Sequence, residues 1–228
     1  MKPTPLITVL LAEDHAIVRQ GLVSLLKSDG GFSIVGEART GREAVELAAS
    51  LKPAVILMDI AMPVLNGLEA TRQILAANPK ARVIVLSAHS DDEYIERMCN
   101  IGVAGFLEKQ SSSEILTKAI REVSQGRTYF SPTIAKRAQS IHDKPRDRDG
   151  IIKADGNKLT SRETEVLQLV AEGSANKQVA GELGISIKTV EKHRQHLMDK
   201  LNIHDTAGLT RYAISAGVIE SRVQLTII

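Results

Sequence analysis

Five short apolar segments in the first half of the chain, separated by stretches with helical periodicity, constrain the fold most strongly. The segments span residues 7–12, 32–38, 54–59, 82–88 and 105–109. Three of them are apolar throughout, which is typical of strands covered on both faces of a parallel sheet. Apolar residues between them recur every three or four positions, and the first such stripe contains Ile17, Val18, Leu22, Leu25 and Leu26. This alternation predicts an α/β fold, a doubly wound parallel sheet of five strands and five helices that ends near Gly126.

The last part of the chain, residues 157–228, contains helical patterns only. Thr160 and Glu163 have the spacing of a capping box, and Gly184 marks the end of a short helix. Ser186 is the predicted N-cap of the next helix, and a fourth helix begins at Asp205. A short helix, a turn and a second helix with a polar face are the elements of a helix-turn-helix. We therefore predict an all-α domain of four helices.

The segment between these regions has no periodicity and carries many charges together with glycine and proline. Such a composition is typical of a linker. We therefore predict a first domain at 1–126, a linker at 127–156 and a helix-turn-helix domain at 157–228. A length of 228 residues accommodates two domains of this size.

Composition excludes an internal disulfide framework and a membrane-spanning helix. The chain has a single cysteine, Cys99, so it cannot form an internal disulfide, which suits a reducing compartment. No stretch approaches the roughly 20 apolar residues that a membrane-spanning helix needs. We expect a cytoplasmic protein that does not associate with a membrane, in which Cys99 is a small buried side chain.

Polar side chains stand at the carboxyl ends of four predicted strands. Glu13 and Asp14 follow the first strand, and the other three end with Asp59, Ser87 and Lys109. Parallel strands bring these ends to one edge of the sheet, where doubly wound folds bind their ligands. Each residue alone has an ordinary explanation as a turn or capping residue. Their joint arrangement predicts one site with three carboxylates, a hydroxyl and an ammonium.

This set of groups indicates phosphoryl chemistry. Three neighbouring carboxylates repel one another unless a cation lies among them, and oxygen ligands in a partly open site suit Mg²⁺. We therefore predict a magnesium site formed by Asp14, Asp59 and Glu13. The free oxygen of Asp59 can attack a phosphoryl group and form an acyl phosphate. Lys109 would pair with the phosphoryl oxygens, and Ser87 would donate a hydrogen bond to one of them.

The segments "LLAEDH", "ILMDIAMPVLNGLEA", "VIVLSA" and "GFLEK" together resemble the receiver domain of two-component response regulators. The resemblance implies the strand order 2-1-3-4-5 of flavodoxin-like folds. It also implies that Asp59 is the phosphoacceptor and that the backbone carbonyl of Ala61 joins the Mg²⁺ ligands. Ser87 and Phe106 would form a switch pair, in which the exposed ring of Phe106 becomes buried after phosphorylation. On the residues alone, Phe106 could equally be an ordinary core side chain.

The helix that follows Ser186 has an apolar face with Val190, Leu197 and Leu201, and a polar face. In a major groove, lysine reaches guanine, glutamine suits adenine, and glutamate accepts from cytosine. The residues predicted to contact bases or phosphates are Lys177, Lys188, Thr189, Glu191, Lys192, Arg194 and Gln195. Net charge does not decide whether this face binds DNA, because residues 157–228 carry nine Lys and Arg against eight Asp and Glu. The polar face could equally be a solvated surface.

The elements "LTSRETEVL", "NKQVA", "KTVEKH" and "KLNI" resemble, in order and spacing, the LuxR-type output domain. The resemblance implies that the fourth helix forms a dimer interface, through Leu209, Tyr212, Ala213 and Ala216. Together the two halves resemble a NarL/FixJ-type response regulator. Such a protein is a transcriptional regulator that a sensor histidine kinase phosphorylates and that binds double-stranded promoter DNA as a homodimer.

Two other functions stay open at this point. A Mg²⁺-dependent phosphatase similar to the haloacid dehalogenases also forms an aspartyl phosphate, but it needs a second acid where this chain has Ala61. The helical domain could instead bind a protein, and it would then show no salt-dependent affinity for duplex DNA. On the main hypothesis the chain is not an enzyme with an external substrate. Its only reaction is Mg²⁺-dependent phosphorylation of its own Asp59 from a phosphodonor.

Overall fold

The computed structural model describes residues 5–88, 92–136 and 159–219. They belong to two compact units, Met1–Pro145 and Arg146–Ile228, which divide within the predicted linker. Most of that linker lies outside the described residues, so the domain boundaries stay predictions. No helix in the described part of the chain combines the length and apolar character needed to cross a bilayer.

The first unit contains a parallel sheet of six strands in the order β2-β1-β3-β4-β5-β6. Its strands are β1 Ile7–Ala12, β2 Phe32–Ala38, β3 Val55–Asp59, β4 Val83–Ser87, β5 Gly105–Glu108 and β6 Tyr129–Phe130. The intervening helices are α1 Ala16–Asp29, α2 Gly41–Leu51, α3 Gly67–Ala77, α4 Asp92–Ile101 and α5 Ser113–Ser124. The five predicted strands and their order are confirmed. The sixth strand was missed because two residues are too few to show a period, and it lies in the segment predicted as linker.

Two hydrophobic clusters cover the two faces of the sheet. On one face, α2, α3 and α4 pack against alternate strand residues such as Leu10 and Ile56. On the other face, α1 and α5 pack against the intervening residues such as Leu11 and Leu57. The central strands are therefore buried on both faces, which explains why their sequences are apolar throughout.

The apolar stripe predicted for α1 is partly wrong. Leu26 is fully buried and Leu22 packs against the core. By contrast, Ile17 is 86% exposed and Val18 is 38% exposed. Arg19 takes the inward position at this end of the helix and is only 7% exposed. A charged side chain thus replaces the expected apolar contact in the turn nearest to the acidic residues.

The prediction for Cys99 is also wrong, because its side chain is exposed. α4 buries Ile95 and Met98 against the sheet. Successive residues of a helix are rotated by about 100°, so the residue after Met98 is turned away from this contact.

Within residues 159–219, the second unit contains four helices, α6 Ser161–Ala171, α7 Asn176–Leu183, α8 Ile187–Leu201 and α9 Thr206–Ser215. The predicted capping box of Thr160 and Glu163 is present, and Ser186 caps α8 by accepting from the backbone N–H of Thr189. Gly184 ends α7 in a left-handed conformation. α8 packs against both α6 and α7, and α9 packs against α6. α7, the turn and α8 form the predicted helix-turn-helix.

Candidate functional site

The acidic residues at the carboxyl ends of β1 and β3 form one cluster. Glu13, Asp14, His15 and Asp59 each offer a ligand atom, and these atoms all lie within 4.8 Å of one another. Glu13 is 0% exposed and Asp59 is 1% exposed. Asp14 is half-buried and His15 lies at the surface. β1 and β3 are neighbours in the sheet, so the residues that follow them are brought together.

Lys109 joins this cluster from the end of β5. Its Nζ lies 2.9 Å from Oε2 of Glu13 and 2.9 Å from Oδ2 of Asp59. Its backbone N–H donates to the carbonyl of Ser87 at 2.8 Å, which aligns the ends of β4 and β5. Ser87 is buried and directly follows Leu86, the partner of Asp59 across β3 and β4. The five side chains predicted from four separate strands therefore lie at the same edge of the sheet.

The charges in this cluster shift two pKa values. Burial, and after it the negative charge of Glu13, raise the pKa of Asp59 to about 6, although the nearby ammonium of Lys109 lowers it. Burial alone would lower the pKa of Lys109, but its contacts with Asp59 and Glu13 outweigh burial and raise that pKa. At neutral pH the site therefore holds two buried carboxylates against one ammonium, and a further cation would stabilise it.

We predict that Asp59→Asn stabilises the metal-free protein, and that this gain depends on pH. The folded-state pKa of about 6 lies above the ordinary value of 3.8, so ionised Asp59 costs stability above pH 6 and costs nothing below pH 4. The shift corresponds to on the order of 3 kcal/mol. Urea unfolding in chelator should show the advantage of the variant growing from about pH 4 to just above about pH 6 and then staying constant. An advantage that is the same at every pH would contradict this account.

The donor set suits a hard divalent cation. The carboxylate oxygens of Glu13, Asp14 and Asp59 are ligands of the type that Mg²⁺ prefers. The negative charge of Glu13, which after burial is the second cause of the raised pKa of Asp59, is a repulsion that such an ion would relieve. The residues present therefore fit a magnesium ion.

The predicted switch residue Phe106 is not exposed. Its ring is 0% exposed and belongs to the cluster under α3 and α4. The expectation of an exposed starting position is wrong for this structure, because β5 directs this residue into the core. Its pairing with Ser87 stays a prediction. Ala61 donates its backbone N–H to Oδ1 of Asp59 at 3.4 Å, and the role of its carbonyl as a ligand also stays a prediction.

Sequence reasoning missed Arg19. Its Nη1 donates to the carbonyls of Glu13 at 2.8 Å and Asp14 at 3.3 Å, so it holds the backbone that carries the acid pair. The sequence did contain a sign of this role, since Arg19 lies beside the apolar stripe of α1, about one helical turn after Glu13 and Asp14. Sequence alone could not show that this side chain points inward.

The polar face of α8 lies at the surface of the second unit. Val190 is 0% exposed and Leu197 is 1% exposed, so these residues anchor the helix in the domain. The predicted DNA-contacting residues that are exposed are Lys177, Lys188, Glu191, Lys192 and Gln195. Thr189 is half-buried, and its hydroxyl lies 2.8 Å from that of Ser186. The structure thus presents a polar helix surface of the kind that enters a major groove.

Comparison with known proteins finds a family match for each of the two predicted domains. Residues 9–121 match the family model "Response regulator receiver domain", and residues 157–213 match "Bacterial regulatory proteins, luxR family". The chain is 33% identical over 227 residues to the transcriptional regulatory protein DegU of Brevibacillus brevis, covering 95% of this chain and 96% of that protein. It is 35% identical over 219 residues to the transcriptional regulatory protein MctR of Rhizobium johnstonii, covering 96% of this chain and 98% of that protein.

The chain belongs to the NarL/LuxR family of two-component response regulators. A crystal structure of a LuxR-family response regulator from Aurantimonas sp. matches it with a TM-score of 0.57 and 30% identity, over 60% of this chain and 99% of that one. Membership of this family makes the protein a two-component transcriptional regulator with a LuxR-type DNA-binding domain. It favours this function over the phosphatase and over a purely protein-binding helical domain.

Arg194 of the response regulator makes contacts within its own domain. Its guanidinium donates to Oδ1 of Asn176 at 2.9 Å and to the hydroxyl of Thr206 at 3.1 Å. The side chain therefore links α8 to α7 and α9, and its predicted phosphate contact stays a prediction. Lys200 likewise ties α8 to α6, through a 2.7 Å bond to Oε2 of Glu163. These bonds fix the orientation of α8 within its domain.

The predicted dimer interface of the response regulator needs a correction. Leu209 is 1% exposed and Ala213 is 0% exposed, because this face of α9 packs against α6. Neither side chain is available to a second copy. Tyr212 and Ala216 are half-buried, and Tyr212 lines an open groove of about 550 Å³.

Proposed function

We propose that a sensor histidine kinase phosphorylates this regulator on Asp59 in a Mg²⁺-dependent reaction, and that the phosphoryl group controls dimerisation and DNA binding. The observation that carries the proposal is the position of Asp59. Its buried carboxylate lies at the end of a strand, within 4.8 Å of the other acids and in contact with Lys109. A carboxylate that served only as a turn residue would have no need of such surroundings.

Glu13, Asp14 and Asp59, with the backbone carbonyl of Ala61, would hold the Mg²⁺ ion. When bound, Mg²⁺ supplies positive charge that offsets the charge of the phosphoryl oxygens. Glu13 and Asp59 are already fixed by Lys109, at 2.9 Å each. Little rearrangement of these side chains is then needed to receive the ion.

In the transfer step, a carboxylate oxygen of Asp59 forms a bond to phosphorus while the bond from phosphorus to the histidine nitrogen of the kinase breaks. The displaced imidazole leaves with the electron pair of that bond. The product is an acyl phosphate on Asp59. Lys109, now beside Asp59, would place its ammonium against the phosphoryl oxygens, and Ser87 would donate a hydrogen bond to one of them.

Strands β4 and β5, which carry Ser87 and Phe106, would transmit the change away from the site. Movement of the Ser87 hydroxyl towards the phosphoryl group empties space beside β5, and the ring of Phe106 adjusts within the core. Phe106 packs in the cluster that includes residues of α4. A change in this packing would alter the surface of α4 and β5, and a second copy of the chain would respond there.

The DNA-binding unit would place α8 in a major groove. Lys188, Glu191, Lys192 and Gln195 would face base edges, and Thr189, Arg194 and Lys177 would contact phosphates. Two copies would read two half-sites about one helical turn apart. Tyr212 of α9 and Ala216, the C-cap of this helix, are the predicted interface residues that remain partly exposed.

Lys192→Ala is expected to weaken specific DNA binding by on the order of 1–3 kcal/mol, since it removes one base contact. Lys118→Ala is the matched control, because Lys118 is an exposed lysine on α5 and its loss changes the net charge equally. Fluorescence anisotropy on a selected operator, at one fixed salt concentration, measures both. Equal losses for the two variants would contradict the proposed role of α8.

The regulatory step is tested by selecting genomic DNA fragments that bind the full chain, with and without Mg²⁺ and a small phosphodonor. The proposal expects the fragments bound with the phosphodonor to depend on Asp59 and on Lys192. Identical fragments and affinities for the parent and Asp59→Asn under phosphodonor would overturn phosphorylation control. Absence of any salt-dependent binding to duplex DNA would overturn the DNA-binding role itself.

A further inference from the structure

Arg19 is an interior cation at a point where the helix pattern predicts an apolar side chain. It is 7% exposed, while Ile17 two positions earlier is 86% exposed. Arginine is rarely buried unless its charge is paired and its donors are used. The position of Arg19 therefore calls for a function that an apolar residue could not fulfil.

The contacts of Arg19 are directed at the turn between β1 and α1. Its Nη1 donates to the main-chain carbonyls of Glu13, at 2.8 Å, and of Asp14, at 3.3 Å. Its Nε lies 3.3 Å from Oε2 of Glu37, at the end of β2. The guanidinium thus bridges a neighbouring strand and the two residues whose side chains form half of the acid cluster.

We propose that Arg19 is a positioning residue for the divalent cation, acting through the backbone of Glu13 and Asp14. This inference rests on the proposed Mg²⁺ site. By holding both carbonyls, Arg19 fixes the direction in which the two carboxylates leave the main chain. Outer residues that orient metal ligands in this way typically change metal affinity 10- to 100-fold when they are replaced.

The charge of Arg19 could act in the opposite sense, since a cation near the site repels a divalent ion. The carboxylate of Glu37, whose Oε2 lies 3.3 Å from Nε of Arg19, carries the opposite charge. Loss of Arg19 and Glu37 together would leave the local net charge unchanged. On this proposal the positional effect exceeds the repulsion, so loss of Arg19 weakens cation binding.

The test measures the Mg²⁺ dissociation constant of the full chain by isothermal titration calorimetry. Arg19→Met keeps the length of the side chain but removes its donors and charge, and it should weaken binding about 10-fold. Arg19→Lys keeps the charge with fewer donors and should give an intermediate loss. Glu37→Gln is the matched control, because it leaves both carbonyl bonds of Arg19 in place, and its affinity should stay within about twofold of the parent.

The outcomes distinguish an effect of Arg19 on the position of the carboxylates from an effect of its positive charge. If Arg19 acts through its charge, Arg19→Met binds Mg²⁺ more tightly than the parent and Glu37→Gln binds it more weakly, and the proposal fails. It also fails if a folded Arg19→Met variant, checked by circular dichroism, binds as the parent does. Should that variant not fold, Arg19→Lys decides, and an affinity equal to that of the parent overturns the inference.

A second measurement distinguishes Arg19 from the groups that touch the phosphoryl group. The phosphorylation rate of Arg19→Met should reach that of the parent at saturating Mg²⁺, with only the Mg²⁺ concentration for half-maximal rate increased. A rate that stays low at saturation would overturn a role through cation affinity. If the parent itself bound no Mg²⁺, the proposed metal site would fail first, and the result would be visible before any variant is compared.

Discussion

Asp59→Asn is expected to lose phosphoryl acceptance by at least about 100-fold, because an amide oxygen is not a nucleophile towards phosphorus at neutral pH. The substitution keeps the size of the side chain, and the metal-free fold should be stabilised rather than lost. Loss of the reaction can therefore be assigned to chemistry. The measurement is the stoichiometry of phosphoryl incorporation from a small phosphodonor with Mg²⁺, read by intact-protein mass spectrometry.

Asp29→Asn provides the matched control for this experiment. Asp29 is an exposed aspartate at the end of α1 that pairs with Arg121 on the surface, so the same substitution there should leave incorporation unchanged. Incorporation into Asp59→Asn at the level of the parent would show that another residue accepts the phosphoryl group.

Gly67→Ala is expected to destabilise the receiver domain by about 3 kcal/mol or more, the upper range for an overpacked site. A Cβ atom on Gly67 would lie 1.8 Å from the carbonyl oxygen of Asp59 and 2.8 Å from its carbonyl carbon. Both obstacles are backbone atoms, which cannot rotate away. Gly67 also donates its N–H to the carbonyl of Ile60 at 2.8 Å, so α3 begins in direct contact with the residue that follows β3. Urea unfolding of the full chain measures the loss.

Gly21→Ala is the control for the general effect of replacing a glycine. Gly21 lies inside α1, and a Cβ there meets nothing within 4 Å. Since alanine has the higher helix propensity, this variant should be more stable by about 0.5–1 kcal/mol. A destabilisation of similar size in both variants would show that close approach to Asp59 is not what requires a glycine at position 67.

Both predictions depend on the short connection between Asp59 and α3. Val64, in the same connection, has a φ of 69°, a left-handed conformation that β-branched residues rarely adopt. The sequence offered no warning of this, because glycine or asparagine is the usual residue for such a conformation. Strain of this kind persists only where the surrounding structure holds it in place, and here it lies five residues from Asp59.

Periodicity and capping chemistry are local properties, and for that reason they could be read from the sequence. The strands, the strand-end positions of Glu13, Asp59 and Lys109, and the caps at Thr160 and Ser186 all follow from neighbours close in the chain. The parallel arrangement then carries these local positions to a common edge. This is why the acid cluster was predictable before any distance was known.

The sequence by itself determined which residues end the strands and which helices carry polar faces. Only the tertiary structure decided which way individual side chains point: Arg19 inward and Ile17 outward, Phe106 in the core, and Leu209 and Ala213 against α6 rather than on a dimer surface. The physical reason is that a helix or strand pattern sets the spacing of side chains along one element. The direction of burial depends on the partners that other elements place beside them, and those partners come from distant parts of the chain.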